Sequence, residues 1–200
     1  NASGVRLVFA GSYPAECGER SWLVALLPHP QYSYGVFRQL WEELGGTLAG
    51  SWREGSAGPD AHLLYTQESP SLSEVVRDIN KYSNNVMARQ LFLTLSSESL
   101  KAPGSLAASA QVVRSWLQQR GIAAPELVLE NGSGLSRVER LSAGGMAQLL
   151  QSAFASPVMP ELLASLPLVA YDGTMRRRLN SSAVAGQAHI KTGTLNDVRA

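Results

Sequence analysis

The sequence predicts an α/β protein. Two kinds of pattern occur along its 200 residues. Some runs carry apolar residues at helical spacing, and other short apolar runs are bounded by Gly, Pro and Ser, as is typical of strands. A third observation is the Gly/Ser/Pro-rich stretch at 55–60, which is typical of a boundary. We therefore expect a small α/β lobe over residues 1–60 and a larger domain over 61–200.

The first part combines strands with one helix. Apolar runs predict strands over 5–10, 22–27 and 62–69. Between them, "YSYGVFRQLWEELGG" places apolar residues at helical spacing and ends on Gly45-Gly46, a common helix stop. This part is therefore predicted to hold one helix among strands.

The second part is mainly helical. Ser71 and Glu74 form a capping-box pattern ahead of a helix that reaches "KYSNNVMARQ" at 81–90, and a helical pattern resumes from Val86. Ser105 is the expected N-cap of the next helix, and Gly121 is its expected stop. We further expect a strand that enters a glycine-rich loop over 127–137, and short helices over 142–154 and 159–166. A final strand is predicted over 188–195.

Composition excludes several classes of function. A hydrophobic content of 44% and a charged content of 16% suit a folded domain, and the net charge of +1 indicates no binding of nucleic acid or of an anionic membrane. No apolar run approaches the roughly 20 residues that span a bilayer, so we expect no transmembrane segment. Cys17 is the single cysteine and the three histidines are far apart in sequence, so we expect no metal and no cofactor.

Two polar stretches stand out from these elements. Ser83, Asn84 and Asn85 interrupt a helical region, although Ser and Asn compete for backbone hydrogen bonds inside helices. Lys191, Thr192 and Gly193 lie on the last predicted strand. Taken alone, the first stretch is explained by a helix cap and the second by an exposed strand lysine.

The Lys-Thr-Gly stretch also has the chemistry to bind the end of a peptide. An edge strand hydrogen-bonds an extended peptide through its main chain. Lys191 and the hydroxyls of Thr192 and Thr194 would form a cationic cradle for a terminal carboxylate, and Gly193 would allow close approach. The N–H of Thr194 could supply half of an oxyanion hole, a donor worth about 3 kcal/mol.

The order of the two stretches resembles a known enzyme group. Ser-x-Asn between helices, followed much later by Lys-Thr-Gly on a strand, is similar to the second and third signatures of the penicillin-recognising serine enzymes. More narrowly, "INKYSNNVMARQLFL", "ENGSGLSR", "LPLVAYDGTMRRR" and "HIKTGTLNDVRA" resemble the penicillin-binding protein 4 type D-alanyl-D-alanine carboxypeptidases, peptidase family S13. The likeness runs from about residue 70 to the end. It implies a DD-peptidase/β-lactamase-like fold, an antiparallel sheet with helices, with 1–60 as part of an inserted accessory lobe.

The resemblance also implies a reaction and a set of roles. A serine would attack the D-Ala-D-Ala bond of a peptidoglycan stem peptide, and β-lactams would act as inhibitors at the same site. Ser83 would help relay a proton to the departing amine, and Asn85 would hold the amide side chain or carbonyl of the substrate. Lys191 would support the proton network and the positive field that attracts the carboxylate. Thr192 and Thr194 would bind the terminal carboxylate beside Gly193. Such an enzyme would be exported to the periplasm.

Two further positions match the family pattern with less definite roles. Arg137 would grip the penultimate diamino-acid side chain of the peptide. Asp172, Gly173 and Thr174 match a family landmark, which we interpret as a structural loop.

One signature of these enzymes is missing from the sequence. The Ser-x-x-Lys that supplies the nucleophile and its lysine base should precede Ser-x-Asn, but the residues three before Lys81, Lys101 and Lys191 are Asp78, Glu98 and Ala188. The start of the chain also lacks the features of a signal peptide. We therefore expect a fragment whose nucleophile lies upstream, and which alone neither hydrolyses D-Ala-D-Ala nor reacts with penicillin.

Three alternatives remain open at this stage. Ser83 or Ser133 could be the nucleophile of an ordinary hydrolase, although no histidine and acid follow a recognisable triad signature. The chain could instead belong to a non-catalytic penicillin-binding-like module that binds peptidoglycan or a partner protein, which the missing nucleophile favours. It could also belong to a β-lactamase of the same superfamily, which deacylation rates would distinguish.

Overall fold

The computed structural model describes residues 5–19 and 24–195, together with the backbone of 198–199. The chain forms two compact units, Asn1–Thr66 and Gln67–Ala200. The boundary thus falls a few residues beyond the 60/61 division expected from the sequence. The assignment of the first unit to an inserted accessory lobe stays a prediction.

The first unit contains one α-helix in its described part. Helix α1 spans His29–Glu43, with a proline in its first turn and Gly45 at φ +84° just beyond its end. The strand predictions over 5–10 and 62–69 are wrong, because these residues are exposed and form no regular element. The strand predicted over 22–27 is likewise not formed at 24–27, where the residues are exposed and irregular. Residues 22 and 23 lie outside the described part of the chain. A strand needs a hydrogen-bonded neighbour, and apolar content alone does not provide one.

The second unit contains the five other helices of the described chain. They begin close to the predicted positions, and serine side chains cap α2, α4 and α5 as Ser71, Ser105 and Ser142. Ser71 and Glu74 form the complete capping box. Their bounds are Leu72–Tyr82 for α2, Asn85–Leu100 for α3, Leu106–Gln119 for α4, Ala143–Phe154 for α5 and Met159–Ser165 for α6.

Helix pairs provide the framework of this unit. Helix α2 packs on α6, and α3 packs on α4. The apolar cluster at the end of α4 consists of Leu117, Ile122 and Leu127. Gly121, at φ +69°, lets the chain reverse so that Ile122 returns to this cluster. No helix in the described part of the chain is both long enough and apolar enough to cross a bilayer.

Strand structure in this unit is shorter than predicted. The 127–137 segment contributes an isolated bridge between Val128 and Arg140, and His189 bridges Leu168. The last predicted strand is reduced to β1, Thr194–Leu195, which pairs antiparallel with β2, Val198–Arg199. Lys191, Thr192 and Gly193 therefore follow a bridge and precede a strand, and do not lie within a ladder.

Candidate active site

The polar break in the helical region both caps a helix and contributes to a cleft. Helix α2 ends at Tyr82, and Ser83 takes a left-handed conformation with φ 52° and ψ 49°. The Oδ1 of Asn84 accepts a hydrogen bond from Met87 N at 3.0 Å, so Asn84 is the N-cap of α3. The helix-cap explanation thus accounts for the hydrogen bond of Asn84, and Ser83, Asn84 and Asn85 all line the cleft.

Lys191 connects this break to the other wall of the cleft. Its Nζ donates to Ser83 Oγ at 3.0 Å and to the Thr192 carbonyl oxygen at 2.6 Å. Burial lowers the pKa of Lys191 from its usual value, because partial desolvation disfavours the ammonium form. The lysine and the serine are therefore placed to exchange a proton along one hydrogen bond.

A glycine-rich loop forms a further side of the cleft. Glu139 Oε1 accepts hydrogen bonds from the backbone N–H groups of Glu130, Asn131 and Gly132, at 3.0 to 3.2 Å. The Ser133 carbonyl then accepts from Asn85 Nδ2 at 2.6 Å. This contact sets the direction of the Asn85 amide.

Together these elements enclose a cleft of about 580 Å³. Ser83, Asn85, Lys191, Thr192, Gly193 and Thr194 all line it, so the structure brings together six of the seven residues selected from the sequence. Among the described residues, its lining includes two cationic side chains, Lys191 and Arg178, and no carboxylate. The cleft is therefore electrostatically suited to an anion such as a terminal carboxylate.

The seventh residue, Arg137, lies in an adjoining pocket of about 300 Å³. Gly134, Gly193 and Thr194 line both this pocket and the main cleft. A ligand in the cleft could therefore extend a side chain towards Arg137.

Several residues that line the cleft are not selected from the sequence, among them Thr174 and Arg178. Thr174 Oγ1 lies 2.8 Å from Thr192 Oγ1. The sequence pattern Asp172-Gly173-Thr174 matches a family landmark but predicts a structural loop rather than a place in the cleft. Arg178 belongs to a three-arginine run that is typical of a solvated loop, and no local signal distinguishes it from Arg176 or Arg177.

The geometry around Ser133 does not favour it as a nucleophile. Ser133 Oγ is hydrogen-bonded to Asn131 Oδ1, and none of the three histidines lines the cleft. The arrangement can bind an anionic ligand and relay a proton, while a general base for Ser133 is not placed next to it.

Comparison with solved structures shows the fold class. The chain superimposes on a crystal structure of penicillin binding protein 4 from Haemophilus influenzae, complexed with a novel β-lactam, with a TM-score of 0.70 and 26% identity over 86% of this chain and 40% of that one. A second structure of the H. influenzae protein gives a TM-score of 0.57 and 28% identity, over 63% of this chain and 28% of that one. The chain thus has part of the DD-peptidase type of fold.

Sequence comparison identifies the family within that class. Residues 1–200 match the D-Ala-D-Ala carboxypeptidase 3 (S13) family, and the chain belongs to it. A D-alanyl-D-alanine carboxypeptidase from Actinomadura sp. (strain R39) is 30% identical over 97% of this chain and 37% of its own length. The D-alanyl-D-alanine carboxypeptidase DacB of H. influenzae is 27% identical over 84% of this chain and 35% of its own length. The family predicted from the sequence is confirmed, and the chain spans little more than a third of these relatives.

Proposed function

We propose that this chain is the part of a serine-type D-Ala-D-Ala carboxypeptidase or endopeptidase that binds the substrate carboxylate and assists proton transfer. The observation that carries the proposal is the 3.0 Å hydrogen bond from Lys191 Nζ to Ser83 Oγ, which spans a cleft whose described lining is cationic and holds no acidic residue. Membership of the S13 family and the carboxypeptidase names of its relatives supply the reaction class.

The proposed reaction uses a serine outside these 200 residues. Its Oγ attacks the carbonyl carbon of the penultimate D-alanine of a peptidoglycan stem peptide, and the C–N bond to the last D-alanine breaks. The serine proton passes through the lysine and Ser83 network to the departing amine. Water then hydrolyses the acyl-enzyme ester and regenerates the serine.

Substrate binding follows from the lining of the cleft. Thr192 and Thr194 hydrogen-bond the terminal carboxylate while Lys191 and Arg178 supply positive charge. Asn85 holds the substrate amide, and Arg137 holds the side chain of the preceding diamino acid in the adjoining pocket. A β-lactam carboxylate would occupy the same position. Because peptidoglycan lies outside the cytoplasmic membrane, the whole protein would be periplasmic.

A non-catalytic module that binds peptidoglycan or a partner protein is the second candidate. The observation that favours it is the absence of Ser-x-x-Lys from the 200 residues. The two candidates differ in one chemical property, since only the enzyme forms a covalent bond with penicillin.

Labelling with a fluorescent penicillin tests the proposal. We expect the full-length protein to gain one penicilloyl group, detected by intact mass, and to release D-alanine from a peptide ending in D-Ala-D-Ala. We expect the 200-residue chain to gain none, because its nucleophile is missing. In the full-length protein, Lys191→Met should slow the reaction with penicillin. Lys101→Met, at an exposed helix end, should react at the wild-type rate.

Two results would contradict the proposal. An adduct on a serine of the isolated 200-residue chain would show that the nucleophile lies within it. A full-length protein that binds peptidoglycan but forms no adduct would favour the non-catalytic module.

A further inference from the structure

Lys81 is a mostly buried cation beneath the cleft. Its side chain is 13% exposed, and its Nζ donates to Asp172 Oδ2 at 2.6 Å and to the Leu166 carbonyl oxygen at 2.7 Å. It lies two residues before Ser83 at the end of α2, but it does not line the cleft. It can therefore contact a bound ligand only through the residues that it holds.

Asp172 is held from two sides. Its Oδ1 accepts from Leu168 N at 2.8 Å while Oδ2 accepts from Lys81. Partial burial alone would raise the pKa of Asp172, but the hydrogen bonds from Lys81 and Leu168 and the charge of Lys81 outweigh it and lower this pKa. The carboxylate is thus charged at neutral pH and keeps its ion pair with Lys81.

The turn after Asp172 is packed directly on the backbone of Lys81. Residues Gly173–Met175 form a 3-10 turn, and Gly173 has φ +51°. A Cβ at Gly173 would lie 2.6 Å from the Lys81 carbonyl oxygen, so the approach requires glycine. The ion pair and this contact together fix the turn against the end of α2.

The turn presents Thr174 to the other wall of the cleft. Thr174 Oγ1 and Thr192 Oγ1 are 2.8 Å apart, and both residues line the cleft. A continuous series of contacts therefore runs from Lys81 through Asp172, Gly173 and Thr174 to Thr192. It joins the wall that carries Ser83 to the wall that carries Thr192.

We propose that Lys81 and Asp172 are positioning residues, which hold Thr174 against Thr192 and so aim the Thr192 hydroxyl at the ligand carboxylate. This inference rests on the proposed function, since it requires that the cleft binds a carboxylate. Neither residue touches substrate. Their loss should reduce the recognition of the carboxylate while the remaining chemistry continues.

Acylation of the full-length protein by a penicillin and by its carboxamide tests the inference. We expect wild type to react faster with the carboxylate form than with the carboxamide. In Asp172→Asn and Lys81→Met, the ratio of these two acylation rates should fall about tenfold, which is the effect of one misplaced hydrogen bond to a charged group. Lys81→Arg should retain much of the ratio. Lys101→Met is the matched control, because Lys101 pairs with Glu98 on the surface with both side chains more than two thirds exposed.

A second variant keeps the test decisive if removal of the ion pair unfolds the protein. Thr174→Val preserves the shape of the side chain and the ion pair but removes the hydroxyl that contacts Thr192. It should lower the same ratio while the protein remains folded, as thermal unfolding would show. An unchanged ratio in Thr174→Val, or in folded Asp172→Asn, would overturn the inference. An unreactive wild-type protein would overturn the proposed function, and the inference with it.

Discussion

Ser83 combines the hydroxyl that we propose relays a proton with a backbone conformation that favours glycine. Its φ of 52° lies in the left-handed region, which costs a non-glycine residue about 1 kcal/mol or more. In the proposed function, proton relay by the hydroxyl offsets this strain. The hydroxyl accepts a hydrogen bond from Lys191, which lies 108 residues further along the sequence.

Paired substitutions at Ser83 separate these two effects. In the full-length protein, Ser83→Ala and Ser83→Gly both lose the hydroxyl, so we expect both to slow acylation by penicillin about 100-fold, as is usual for loss of a proton-transfer group. Ser83→Gly should be about 1 kcal/mol more stable than Ser83→Ala, because glycine adopts positive φ readily. Stopped-flow acylation and thermal unfolding measure the two quantities. Equal melting temperatures would contradict the strain, and fast acylation in either variant would contradict the role of the hydroxyl.

At the scale of elements, the junction of α3 and α4 depends on buried serines. Ser96, which is 1% exposed, accepts hydrogen bonds from Ser109 Oγ at 2.8 Å and from Ser105 N at 3.1 Å. Ser109 is fully buried, and Ser105 is the N-cap of α4. The pair of helices that presents Asn85 is thus joined by polar groups that satisfy one another.

Removal of Ser96 should therefore destabilise this helix pair. Ser96→Ala leaves the Ser109 hydroxyl and the Ser105 N–H without their shared acceptor, so we expect the free energy of unfolding to fall by about 1 to 3 kcal/mol. Ser99→Ala, an exposed position on the same helix, is the matched control and should change it by no more than about 0.5 kcal/mol. Chemical denaturation of the full-length variants measures both values. The interpretation fails if the two substitutions have equal effects.

At the scale of the whole molecule, the residues that line the cleft all belong to the unit Gln67–Ala200. The segment 51–66 before this unit is exposed throughout and forms no helix or strand. Leu63 and Leu64 are 83% and 96% exposed. Exposed backbone outside regular structure is where proteases cut first.

Limited digestion of the 200-residue chain with thermolysin, which cleaves before large apolar residues, tests this division. We expect early cuts before Leu63 or Leu64, besides cuts at exposed residues nearer the start such as Val8 and Phe9, leaving a fragment that contains α2 to α6. Mass spectrometry of early time points identifies the site. A first cut inside one of these helices would show that the second unit is not the more resistant one.

Local patterns in the sequence determined the helices, their serine caps, the two polar motifs and the family. Periodicity and capping act over a few residues, so they can be recognised without knowledge of the fold. The absence of Ser-x-x-Lys is likewise a fact of the sequence alone. The same local reasoning failed for the strands over 5–10 and 62–69, because strand formation depends on a partner segment.

Only the tertiary structure decided which polar residues meet. Two contacts form the site: Ser83 meets Lys191, and Thr174 meets Thr192. Both follow from the packing of α2 beside α6 and the 173–175 turn, which no local pattern specifies. Arg178 enters the cleft for the same reason, although its sequence context is typical of a solvated loop. Long-range contacts are set by the packing of whole elements, and this is why the sequence determined the motifs while the fold determined the site that they form.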